Sequence, residues 1–77
     1  MSKISLEKII SIISKNIDVD EKKIDINSKS DDFYKWDSLT QVTIILDIEK
    51  VLGKKINAAK IGELDSIKKI VAVLKKI

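Results

Sequence analysis

The sequence predicts a small all-α domain: a bundle of three main helices and one short helix, with a long loop between helices one and two. The chain has 77 residues, the length of one domain, so we expect residues 1–77 to fold as a single unit. Apolar residues recur at helical spacing in three segments. No two segments alternate like a pair of neighbouring strands, so no sheet is predicted.

The first helix is predicted to be amphipathic. Either Ser2 or Ser5 can cap its first turn, where Glu7 suits the positive end of the helix dipole. We expect it to end near Asn16, a residue type that tolerates left-handed geometry. Its apolar residues follow the spacing i, i+3, i+4, i+7 and i+11: Leu6, Ile9, Ile10, Ile13 and Ile17.

Residues 18–36 are predicted to form a long ordered loop. Residues 20–23 can form one helical turn, and residues 23–27 alternate like a strand that has no partner. A loop of this length is usually functional or disordered, and the three aromatic residues within four positions favour an ordered one. Its apolar residues are expected to pin it to the core: Val19, Ile24, Ile26, Phe33, Tyr34 and Trp36.

The second helix is predicted to begin at Asp37 or Ser38, since either can cap it, and Ser38 with Gln41 matches the capping-box pattern. Gly53 is expected to end it after about fifteen residues. Residues 42–46 have strand propensity, but the cap and the glycine decide for a helix. We expect it to be central, because its apolar residues occupy two faces: Leu39, Val42, Ile45, Leu46 and Leu52, and Ile44, Ile48 and Val51.

Two shorter elements are predicted to complete the bundle. Residues 57–61 followed by Gly62 indicate one short capped turn. Asp65 or Ser66 can cap the last helix. Its apolar stripe consists of Ile67, Ile70, Val71, Leu74 and Ile77.

The composition excludes several classes of function. The chain has no Cys and no His, which excludes a disulfide scaffold, a Cys/His zinc site and a Ser-His or Cys-His catalytic pair. Asp31 and Asp32 are expected to be a solvated pair, and the two glycines form no phosphate loop. We therefore expect no enzyme and no metal site. No apolar run approaches the ~20 residues of a membrane span, and no signal peptide is recognised, so we expect a cytosolic protein.

Ser38 is the candidate for chemistry. It opens the second helix, where its hydroxyl is expected to be exposed and the first-turn N–H groups lack helical partners. A phosphate attached there would lie at the positive end of the helix dipole, so the position suits a phosphodiester. The alternative is that Ser38 is only a helix cap.

Residues 36–39, Trp-Asp-Ser-Leu, resemble the Asp-Ser-Leu signature of acyl and peptidyl carrier proteins. The resemblance extends over nearly the whole chain: one helix and a long loop before the serine, then an apolar helix with a glutamate and a final glycine, then a short and an apolar helix. It implies that Ser38 receives 4'-phosphopantetheine from coenzyme A, with Trp36, Asp37 and Leu39 beside the attachment point. The arm's thiol would then hold an acyl or aminoacyl group as a thioester.

A second, similar tripeptide occupies residues 65–67, Asp-Ser-Ile. It also opens a helix, but no long loop precedes it. Eleven residues follow Ser66, against thirty-nine after Ser38. We therefore interpret Ser66 as a structural cap.

The resemblance also implies partners: a magnesium-dependent phosphopantetheinyl transferase, an acyl- or aminoacyl-activating ligase and a downstream acyltransferase. We expect a monomer that binds neither nucleic acid nor membrane. Apolar side chains could shelter a cargo chain, or could simply pack in the core; the candidates are Leu46, Ile56, Ile61 and Ile67.

The charge distribution departs from the strongly acidic carriers of fatty-acid synthesis. The net charge is +3, but residues 17–52 sum to −4 and residues 53–77 to +5. Thr40 and Thr43 stand where such carriers often have acids, which predicts weaker charge attraction to fatty-acid enzymes. Fatty-acid carriers commonly have a small residue before the aspartate of the signature. With Trp36 at that position, the chain resembles carriers of specialised pathways.

Two other functions are consistent with a small helical domain. A basic DNA-binding domain would explain the net charge, but all fifteen basic residues are lysine, the middle is acidic and helix two is too apolar for a groove. A helical protein-interaction module would bind a partner helix on an exposed apolar face. It predicts no modification of Ser38.

Overall fold

The computed structural model describes residues 4–76 and confirms the predicted all-α class. Ser2 and Ile77, which the sequence placed at a cap and in a stripe, lie outside the described residues. Within residues 4–76 there is no strand, only one isolated bridge between Lys29 and Ser66. The helices are α1 Leu6–Ile17, α2 Ser38–Leu52 and α3 Ile67–Leu74, with 3₁₀ helices at Glu21–Lys23, Ser30–Asp32 and Ala58–Glu63.

Helix α1 begins as predicted and ends one residue later than predicted. The Lys8 N–H donates to Ser5 Oγ at 3.1 Å, so Ser5 is the N-cap. Asp18, not Asn16, adopts the left-handed conformation, with φ of 57°. Because Ile17 is fully buried, the helix continues through it. The Asn16 amide instead donates to Asp47 of α2 at 3.0 Å and joins the two helices.

Helix α2 packs one face against α1 and against the Ala58–Glu63 3₁₀ helix. It ends where predicted, at Gly53, whose φ of 71° is left-handed. The helix therefore has two packed neighbours, but the expectation that both of its predicted apolar faces pack is wrong, because each of those faces contains buried and exposed residues. The buried face holds Gln41, Ile44, Ile45, Ile48 and Leu52, and the exposed apolar residues are Leu39, Val42, Leu46 and Val51.

The long loop is ordered and fastened to the start of α3. The Ser30 N–H donates to the Asp65 carbonyl at 2.7 Å, and the Ile67 N–H donates to the Ser28 carbonyl at 3.1 Å. The predicted turn at Asp20 is confirmed as a 3₁₀ helix, whereas residues 23–27 form no strand. Most apolar loop residues are buried or partly buried, but Tyr34 is 100% exposed, so its predicted role in pinning the loop is wrong.

The C-terminal elements complete the core. The Ala59 N–H donates to Asn57 Oδ1 at 2.9 Å, which confirms a capped short helix. Gly62 lies inside that helix and does not end it; the chain leaves it at Leu64, whose side chain is buried. The predicted stripe of α3 is confirmed by its buried residues Ile67, Ile70 and Leu74. Among residues 4–76, no helix combines the length and apolarity that crossing a membrane requires.

Candidate functional site

The start of α2 is capped by Asp37 and not by Ser38. The Thr40 N–H donates to Asp37 Oδ1 at 2.9 Å. This places Ser38 at the first helical position, and the predicted capping box between Ser38 and Gln41 does not form. The physical reason is that the carboxylate one residue earlier already reaches the first-turn N–H group.

The Ser38 side chain is therefore free. Its residue is exposed, and its hydroxyl has no hydrogen-bond partner among residues 4–76. It projects from the first turn of a fifteen-residue helix, whose dipole makes this end positive. A group attached to the Ser38 oxygen would meet solvent, and within residues 4–76 no hydrogen bond of the Ser38 side chain would have to break.

An open cleft of about 450 Å³ adjoins Ser38. That volume lies in the ~300–1,000 Å³ range of small-molecule sites. One wall is formed by the loop and the start of α2, and the other by Ile61 and Gly62 of the 3₁₀ helix. Asp65, which pairs with Lys69 at 3.0 Å, also lines the cleft. The free serine thus stands at the rim of a cleft that can receive a bound or attached group.

The inner wall of the cleft is a buried hydrogen-bonded pair. The Trp36 indole N–H donates to Gln41 Oε1. Gln41 Nε2 in turn donates to the carbonyls of Ile61, at 2.9 Å, and Leu64. Trp36 is 4% exposed and stacks on Phe33 with ring centroids 6.5 Å apart. Trp36 is therefore both a loop anchor and part of the wall next to Ser38.

The charge nearest to Ser38 is the Asp37 carboxylate. The pKa of Asp37 is held below its ordinary value, mainly because the carboxylate accepts a hydrogen bond from the Thr40 backbone N–H. The carboxylate is therefore ionised at neutral pH. It gives the mouth of the cleft a negative charge, in line with the net charge of −4 for residues 17–52.

The structure brings together three of the four predicted site residues. Trp36, Asp37 and Ser38 line the cleft, but Leu39 does not. Leu39 is 79% exposed on the outer side of α2. Of the four residues considered as cargo shelter, only Ile61 lines the cleft; Ile56 and Ile67 are buried in the core and Leu46 is exposed.

Sequence reasoning missed the role of Gln41. Its position gave a signal, because Gln41, Ile45, Ile48 and Leu52 follow helical spacing along one face. A polar residue at the head of a buried stripe needs hydrogen-bond partners. Those partners are the carbonyls of Ile61 and Leu64, which lie 20 and 23 residues further along the chain.

Comparisons with known proteins identify the family of the chain. A family model described as phosphopantetheine attachment site matches residues 7–74. A curated acyl carrier protein of Thermotoga maritima is 32% identical over 69 residues, which cover 90% of this chain and 85% of that relative. No solved structure matches the chain.

Proposed function

The chain belongs to the phosphopantetheine-attachment family of acyl carrier proteins, and we propose that Ser38 is the residue that bears its covalent 4'-phosphopantetheine. The chain is thus a carrier and not an enzyme. One observation carries the assignment: Ser38 has an exposed hydroxyl, without a hydrogen-bond partner among residues 4–76, in the first turn of α2 at the rim of the cleft. Asp37, by taking over the cap, leaves that hydroxyl free.

The attachment step uses the Ser38 oxygen as the nucleophile. That oxygen forms a bond to the coenzyme A phosphorus that bears pantetheine, and the bond from this phosphorus to the oxygen of the 3',5'-ADP group breaks. The serine proton passes to the transferase, and 3',5'-ADP leaves. The attached group supplies a thiol for thioester bonds, which the chain cannot supply because it has no Cys.

Intact-mass measurement tests the assignment. The protein is incubated with coenzyme A, magnesium and a broad-specificity phosphopantetheinyl transferase whose activity is shown on a control carrier. We expect one added phosphopantetheine in the wild type and in Ser66→Ala, and none in Ser38→Ala. Addition to Ser38→Ala, or none to the wild type, would overturn the proposal.

We further propose that the partners belong to a specialised pathway: an acyl- or aminoacyl-activating ligase and a downstream acyltransferase. The support is the exposed outer face of α2, where Leu39, Val42 and Leu46 are apolar and Thr43 stands among them without charge. Docking through such a face depends on apolar contact more than on charge. Cytosolic location and a monomeric state stay predictions, which fractionation and sedimentation would test.

The salt dependence of transfer tests this second proposal. We expect the second-order rate constant with a partner enzyme to change less than about threefold between 25 and 250 mM salt, because few charges are screened. Thr40→Glu/Thr43→Glu is expected to add salt dependence, and Thr40→Gln/Thr43→Gln is the uncharged control. A steep salt dependence in the wild type would contradict apolar docking.

A further inference from the structure

Gln41 closes the seam between α2 and the Ala58–Glu63 3₁₀ helix. It lies on α2, yet its amide nitrogen donates to two carbonyls across the seam, those of Ile61 and Leu64. Its amide oxygen accepts from Trp36 of the loop. One side chain therefore ties together all three segments that surround the inner end of the cleft.

The side-chain amide of Gln41 is buried, and each of its polar groups has a hydrogen-bond partner. The residue is 5% exposed, both amide N–H groups have acceptors, and the oxygen has a donor. Within residues 4–76, no buried side-chain nitrogen or oxygen atom lacks a partner. Parting α2 from the 3₁₀ helix would leave buried polar groups unpaired, which is costly.

Behind Gln41 the interior is occupied by apolar side chains. Ile45 and Ile48 of α2 and Ile67 of α3 are fully buried. A long alkyl chain that entered from Ser38 would have to break the Gln41 bonds and then displace these side chains from a close-packed core. A group that stays in the cleft meets neither obstacle.

The cleft itself offers polar contacts. Ser30, Asp37 and Asp65 line it together with Trp36 and Ile61. Hydroxyl and carboxylate groups beside one aromatic ring suit a short or polar acyl group, such as an aminoacyl group, better than an extended hydrocarbon.

We propose that Gln41 is a specificity-determining residue that keeps cargo out of the bundle, so that this carrier is built for a short or polar acyl group held in the open cleft. The inference rests on the proposed attachment at Ser38. It names the cargo class that the family assignment leaves open, and of the two alternatives for the buried candidates it favours core packing over cargo shelter.

A series of acyl groups of increasing length tests it. The full chain is loaded by the transferase from acetyl-, butyryl-, octanoyl- and decanoyl-coenzyme A, and loading is verified by intact mass. Urea unfolding then gives the folding equilibrium constant of each form. Burial of two CH₂ groups would raise that constant about fifteenfold. We expect the wild type to vary less than about twofold from acetyl to decanoyl, since no CH₂ group is buried.

Gln41→Leu tests the residue itself. Without the amide bonds the seam can part, so we expect its folding constant to rise with acyl length. Val51→Ala, an exposed apolar position of α2 outside both the seam and the cleft, is the matched control, and its folding constant should not change with acyl length. If Gln41→Leu folds and its folding constant also does not change with acyl length, Gln41 is not the barrier.

Trp36 provides a readout that needs no variant. It is the single tryptophan of the chain, and its indole N–H is bonded to Gln41. We expect the same emission maximum for acetyl and decanoyl forms of the wild type. Emission and stability that change progressively with length would overturn the inference and leave attachment intact. Absence of any loading would instead overturn the attachment at Ser38, and the inference with it.

Discussion

Two tripeptides of this chain, residues 37–39 and residues 65–67, are almost identical in sequence. The helix begins at the second residue of the first tripeptide and at the third residue of the second. In the first, Asp37 is the N-cap and the serine is the first helical residue. In the second, Ser66 is the N-cap and accepts from the Lys69 N–H at 3.2 Å. The Asp65 carboxylate there pairs with the Lys69 ammonium group instead of capping the helix.

The register decides which serine can carry a group. In the described part of the chain the Ser38 hydroxyl makes no hydrogen bond, whereas Ser66 caps α3 and is in the bridge to Lys29. Attachment to Ser66 would remove a cap. The residue after each serine follows the same division, since Leu39 is 79% and Ile67 0% exposed. Two nearly identical tripeptides therefore make an outward-facing site at one helix and a structural joint at the other.

The largest expected difference concerns the apolar residue of each tripeptide. Ile67→Ala should lower the free energy of unfolding by about 2–5 kcal/mol, because it leaves a cavity in the core. Leu39→Ala should change it by no more than about 0.5 kcal/mol, because the side chain is already in solvent. Urea unfolding of both variants measures the difference. Equal losses would show that the two helix starts do not differ as described.

The serines themselves should differ less. Ser66→Ala is expected to cost about 1 kcal/mol, since the Lys69 N–H loses its acceptor. Ser38→Ala should stay within about 0.5 kcal/mol of the wild type, because no bond is lost and alanine suits a helix. The same unfolding experiment ranks them. A larger loss in Ser38→Ala would mean that Ser38 contributes to the cap after all.

The smallest expected effect is a pH dependence at Asp37. The pKa of Asp37 is lowered in the folded state, mainly by the Thr40 N–H. Its ionised form therefore stabilises the fold at pH values above the unfolded pKa of about 3.9, and this contribution is lost as pH falls through the lower, folded pKa. Asp37→Asn keeps an acceptor at the cap but cannot ionise.

Melting temperatures between pH 6 and pH 2.5 would reveal that contribution. We expect Asp37→Asn to be less stable than the wild type at pH 6, and the gap to shrink as the pH falls. Asp65→Asn removes the same charge from the other tripeptide and leaves the Asp37 contribution in place, so it is the matched control. A gap that stays constant with pH would contradict ionic capping by Asp37.

Locally determined features were predictable from the sequence. The stripe of α3 and the left-handed stop at Gly53 depend on residues within one or two helical turns, and both are confirmed. The choice between Asp37 and Ser38 as cap was not predictable, because both residue types reach a first-turn N–H group equally well. Only their surroundings fix the register.

Features that depend on distant segments were missed. Gln41 finds its acceptors in a helix that begins at Ala58, and no local pattern names them. Tyr34 was expected to be buried with its aromatic neighbours, but the stack of Phe33 and Trp36 leaves it outside. The outer face of α2 is apolar in sequence, so its exposure follows only from how the other segments pack around the helix.

The position of the attached group in the unaltered protein decides between Ser38 and Ser66 as the attachment residue. After transferase treatment, trypsin releases residues 36–50, which contain Ser38, and residues 61–68, which contain Ser66. Fragmentation mass spectrometry of both peptides then locates the group. We expect phosphopantetheine on Ser38 alone. Phosphopantetheine on Ser66, or on either threonine that follows Ser38 in its peptide, would contradict it.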